Sequence, residues 1–65
     1  MINLDDVRTE IYEMIQTCYD VLENQIFIKS LDVLNIIRNS LNDYIRKYQQ
    51  LGGTEDLSKF LKYYV

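Results

Sequence analysis

Two long stretches of this chain repeat apolar residues at the spacing of a helix. Between Leu31 and Leu51, the residues Leu34, Ile37, Leu41, Tyr44, Tyr48 and Leu51 recur at alternating steps of three and four, as they do where a helix lies along a partner helix. Over residues 4–22, Val7, Ile11, Met14, Ile15, Cys18 and Leu22 share a face at about 100° per residue, and Tyr12 and Tyr19 widen it. That apolar arc covers roughly half the cylinder, more than the ~100° one neighbour requires. A third helix or a second subunit is therefore expected beside it. The only glycines, Gly52 and Gly53, follow the second stretch, and proline is absent. Beyond them Leu57, Phe60, Leu61 and Tyr64 form a shorter stripe, with Lys59 and Lys62 outside it.

The pattern predicts helices over 4–22, 31–51 and 55–64. Asn3 or Asp5 caps the first, and Asp5 and Asp6 suit the positive end of its dipole. Ser30 caps the second, and the glycine pair supplies its left-handed terminus. Thr54 caps the third. Asn24 to Lys29 reads as a turn whose apolar residues, Ile26, Phe27 and Ile28, plug the end of the bundle. The expected fold is all-α: one domain, 1–65, built as an antiparallel helical hairpin with a short C-terminal third helix. Sixty-five residues lie near the lower limit for folding without a staple. A lone cysteine closes no internal disulfide, and without histidine or a cysteine cluster no structural zinc is expected. Self-association or docking onto a partner protein is the remaining source of stability, and a homodimer that forms a helical bundle is expected.

Charge adds direction to this picture. Residues 1–25 carry Asp5, Asp6, Glu10, Glu13, Asp20 and Glu23 against Arg8, whereas 26–51 carry Lys29, Arg38, Arg46 and Lys47 against Asp32 and Asp43. An acidic first half beside a basic second half favours antiparallel packing, modestly and in a salt-dependent way. A net charge of −3 and scattered cations make a poor phosphate-binding surface, so nucleic acid is not an expected partner. The longest apolar run, Ile26-Phe27-Ile28, is far short of a membrane span. The acidic start MINLDDV lacks the basic and apolar pattern of a secretory leader. With the single thiol, this fits a cytoplasmic protein. Cys18 lies on the apolar face and reads as a small core residue.

Without histidine, Ser-His-Asp and Cys-His catalysis and histidine-ligated metals are excluded, and no cofactor is expected. One strip of the second helix does carry polar groups that could act together: Asp32, Asn35, Asn39, Asn42 and Asp43, continued by Arg46. An amide beside a carboxylate on a rigid helix can orient a water for attack on an acyl phosphate. Asn39, Asn42 and Asp43 are the candidate catalytic residues. The bland alternative is a solvated flank. Six tyrosines suit interfacial packing with the hydroxyl in water, or anchoring of a partner. Ile36 points away from the seam, on the polar side. The candidate partner-binding residues are Ile36, Tyr44, Tyr48, Phe60 and Tyr64.

Val7-Arg8-Thr9-Glu10-Ile11-Tyr12-Glu13-Met14-Ile15 and Leu41-Asn42-Asp43-Tyr44-Ile45-Arg46-Lys47-Tyr48-Gln49-Gln50-Leu51 together resemble the short two-helix aspartyl-phosphate phosphatases that act on sporulation response regulators. The resemblance covers about Val7 to Leu51 and leaves the third helix outside. The family signature is Ser-Gln-Glu-Leu-Asp, and the corresponding run here is Arg38-Asn39-Ser40-Leu41-Asn42. The leucine is unchanged, Asn39 keeps an amide, and Asn42 stands where the family needs aspartate. Asp43 is rotated by about 100° from that position. The resemblance therefore implies a chain that binds its target rather than one that dephosphorylates it. The expected function is a non-enzymatic regulator or inhibitor, an interaction module in a bacterial or phage setting. Aspartyl-phosphate hydrolysis is the alternative.

Overall fold

The computed structural model describes residues 2–24 and 29–64. Helix α1 spans Leu4–Glu23, α2 spans Leu31–Gln50, and a 3-10 helix spans Ser58–Tyr63. The proposed plug of Ile26, Phe27 and Ile28 lies outside the described residues. The two long helices run antiparallel and form the hairpin expected from the apolar seams. No described helix is long and apolar enough to cross a membrane.

Each end of the hairpin is set by local chemistry. The Asn3 side chain accepts from the Asp5 amide at 2.9 Å, and Ser30 Oγ accepts from the Val33 amide at 3.4 Å. At the end of α2 the Gly52 amide donates to the Gln49 carbonyl and the Gly53 amide to the Tyr48 carbonyl, both at 3.0 Å. This crossed pair is the Schellman arrangement. The two glycines serve different needs. Gly52 has φ of +78°, a conformation costly for a residue with a Cβ. Gly53 lies so close beneath the Tyr48 ring that an added Cβ would overlap it. Gly53→Ala is expected to lose about 1–3 kcal/mol, since Tyr48 is a core residue that must move. Urea unfolding followed by circular dichroism measures this, and a loss below about 0.5 kcal/mol would contradict the close approach.

The C-terminal segment departs from the expected α-helix over 55–64. Asp56 takes both the backbone amide and the hydroxyl of Ser58, a local turn that competes with a helical start. The Glu55 amide donates to the Tyr48 hydroxyl at 3.0 Å, which holds the preceding residue out of helical geometry. Past this turn the chain winds into a single 3-10 stretch, with Phe60 bonded to Leu57 and Tyr64 to Leu61 by backbone hydrogen bonds of 3.0 Å. Its period of about three residues changes which side chains face inward. Leu57 and Phe60 are buried and Tyr63 is half-buried, whereas Leu61 and Tyr64 of the expected stripe are exposed.

The core comprises Ile15, Leu22, Leu41, Ile45, Tyr48, Leu57 and Phe60. Phe60 is fully buried, with its ring centroid 5.8 Å from Tyr12 and 5.2 Å from Tyr19 in edge-to-face contacts. Tyr48 packs tilted against Tyr12 at 5.8 Å, and Tyr63 meets Tyr19 edge-to-face at 6.0 Å. Lys62 adds an ion pair to Glu23 at 2.9 Å. The segment thus works as a strap, wedged by one phenylalanine between tyrosines of α1.

Candidate interaction face

The strap covers only one side of the hairpin. Counting about 100° per residue from the buried Ile15 and Leu41, Tyr12, Tyr19, Arg38 and Asn42 fall on its side. Val7, Met14, Cys18 and Val21 of α1, and Val33, Ile36, Ile37 and Tyr44 of α2, fall on the other. Nothing in the chain's described residues covers this second side. Its centre is a shallow groove of ≈ 240 Å³ lined by Met14, Thr17, Cys18, Ile37, Ser40 and Tyr44. Met14, Val33 and Ile36, spaced along this side, are 41, 42 and 64% exposed, high values for apolar side chains.

The residues proposed from sequence for partner binding divide here. Ile36 and Tyr64 are exposed and Tyr44 is half-buried at the groove. Tyr48 and Phe60 are interior, and they hold the core instead of meeting a partner. Met14 and Val33 belong to the open face although the sequence reading did not place them there. Met14 shares the broad apolar arc of α1, and only the position of the strap decides which edge of that arc stays uncovered. The Cys18 thiol is half-buried in the groove, and burial pushes its pKa up. It is held as a thiol, the unreactive form.

The polar strip does not form one site. Asn42 is 6% exposed, and its Oδ1 is buried without a hydrogen-bond partner. It sits under the strap side, off the solvated flank where the periodicity had placed it. Asn39 is exposed. Asp43 is engaged by Lys47 at 2.9 Å and approached by Arg46 at 3.8 Å. The hydrogen bond from Lys47, helped by the nearby cations, holds its carboxyl below the usual range, which makes it a weak base. Asn35 accepts from Arg38 at 3.2 Å. Asn39 and Asp43 share a face one turn apart, but the third member of the proposed set is turned inward.

These placements have measurable consequences for stability. A buried carbonyl oxygen with no donor carries a desolvation cost, so Asn42→Leu is expected to stabilise the chain by about 1 kcal/mol; a lower urea midpoint would contradict it. Glu23 is also held below its ordinary pKa, chiefly by the hydrogen bond from Lys62. Asp56 is likewise lowered by its bonds from Ser58. Groups depressed in the folded state stabilise it above their unfolded pKa of about 4. That contribution fades as pH falls through the folded values. The melting temperature should therefore drop on acidification below about pH 4.5, and less so in Glu23→Gln.

A larger hollow of ≈ 470 Å³ opens at the other end of the hairpin, between the start of α1 and the glycine turn. Arg8 dominates it. Its Nε donates to the Leu51 carbonyl and its Nη1 to Asp5. The guanidinium thus places a cation at the negative end of α2, and no pattern in the sequence marked this lone basic residue for that task.

The fold and this face define a class, a small helical hairpin with one uncovered apolar side. Comparison with protein-family models, curated proteins and solved structures finds no match for the chain.

Proposed function

We propose that this protein is a non-enzymatic interaction module that acts through the uncovered face of its hairpin. The observation carrying this reading is the open groove between α1 and α2, together with the exposure of Met14 in its lining and of Val33 and Ile36 farther along the same side. An apolar patch of this kind marks a binding surface more often than a solvated one. Ridges from both helices flank the groove, the shape that accepts a further helix. Tyr44 at its edge offers an aromatic anchor with a polar tip.

Regulation or inhibition of a larger protein by occupying a helical site is the activity that suits such a face. A cytoplasmic, bacterial or phage setting belongs to the same reading, as does the resemblance to the two-helix phosphatases. Hydrolysis has less support, because Asn42 is buried and Asp43 is tied to Lys47. The test compares two variants in reconstitution of a complex from purified components. Ile36→Asp should abolish complex formation while Asn39→Ala leaves it intact. A phosphorylated response regulator whose lifetime this protein shortens, with the effect lost in Asp43→Ala, would replace the reading with an enzyme.

A further inference from the structure

We propose that a second copy of this chain closes the open face, in a two-fold pairing that lays α1 of each protomer antiparallel along α2 of the other. The inference rests on the interaction-face reading above and names its partner.

Shape supports it first. The molecule measures 41 × 23 × 15 Å, so its thin direction holds one layer of helices and the strap. Helical domains bury their apolar stripes between two layers, and here the second layer is missing on one side. A pair of helices about 30 Å long, with axes 8–10 Å apart, presents on the order of 600 Å² per protomer. Two such faces reach about 1,200 Å², the lower limit for a specific, stable interface. A micromolar dimer is the affinity that suits this area.

Charge then chooses between two arrangements. A two-fold axis across the helices would set α1 against α1 and leave the rim carboxylate of Glu10 facing a helix with no free cation, since Arg8 is held by Asp5 and the Leu51 carbonyl. An axis parallel to the helices sets α1 against α2, whose Lys47 lies on the open side by the helical count, whereas Arg38 and Arg46 fall on the strap side. The pairing of opposite charges at the rim, Glu10 with Lys47, selects the second.

This arrangement also fixes residue pairs. Within one protomer Arg8 reaches Leu51, and Tyr12 meets Tyr48. Residues whose numbers sum to about 59 therefore lie at the same height. Glu10 and Lys47, both exposed, lie within about 4 Å of one height, and by the helical count both are at the rim of the open face. In the parallel-axis dimer each Glu10 meets the Lys47 of the other copy, twice per dimer. Met14 descends onto Tyr44 of the other copy, and Cys18 lies next to the axis.

Sedimentation equilibrium across micromolar to millimolar concentrations tests this, with helicity checked by circular dichroism. Wild type should dimerise. Glu10→Lys and Lys47→Glu should each weaken the dimer about ten-fold, and the double variant should restore it. Maleimide labelling of Cys18 should slow as concentration rises. A wild-type chain that stays monomeric to about 1 mM overturns the proposal, and it leaves the face to a foreign protein with the module reading intact. A dimer whose double variant is not restored overturns the α1-against-α2 pairing. All the altered side chains are exposed, so retained helicity separates lost association from lost folding.

Discussion

Phe60→Ala is expected to cost about 3–5 kcal/mol, the usual loss for truncating a fully buried aromatic. A chain of 65 residues has a total stability of only about 3–10 kcal/mol. One substitution in the C-terminal strap should therefore unfold much of the population at room temperature. The effect is concentrated because Phe60 is the contact shared by Tyr12 and Tyr19 of α1, and because a six-residue 3-10 helix has no persistence of its own. Once the phenyl ring is gone, neither Lys62 nor Tyr63 can hold the segment, since exposed ion pairs contribute at most about 1 kcal/mol. Urea unfolding of the variant, read by far-ultraviolet circular dichroism, gives the number. A loss under about 1 kcal/mol would mean that α1 and α2 form the core alone and the strap is an appendage.

The strap also explains which parts of the fold were legible beforehand. Both long helices were marked by apolar periodicity, by Asn3 and Ser30 as caps, and by the glycine pair as a terminator. These are local signals that tertiary packing does not alter. Tyr12 and Tyr19 widened the arc of α1 enough to demand a second neighbour, and that neighbour is the strap. The details that escaped share one cause. The seam of α2 was centred on a line through Leu34, Leu41 and Tyr48 with Tyr44 beside it, as if α1 were its sole neighbour. The strap on the opposite flank shifts the centre of burial by about 40° around the helix. Ile45 becomes fully buried, Asn42 joins it inside, and Tyr44 stays at the edge. The same shift removes Asn42 from the polar strip and dissolves the candidate catalytic set. The side on which the strap docks depends on where Phe60 finds its pocket, which no short window of sequence encodes.

Ile36→Asp is expected to weaken association by at least a hundred-fold, about 3 kcal/mol, while changing the stability of the monomer by no more than about 0.5 kcal/mol. The two halves of that expectation come from one placement. Ile36 is 64% exposed on its own protomer, so aspartate there loses no intramolecular contact and gains hydration. In a pairing through the open face the same position enters a surface formed by Val33 and Ile37 beside it and Val21 of the other copy, where an unpaired carboxylate must be stripped of water. Two-fold symmetry applies the penalty twice. Asn39→Ala on the neighbouring strip should leave both quantities unchanged, which separates an apolar binding face from a catalytic one. Sedimentation measures the association and urea unfolding the stability. If Ile36→Asp associates as well as wild type, the side opposite the strap is not the one through which the protein binds. If it unfolds instead, Ile36 belongs to the core and that side of the hairpin is not an open surface.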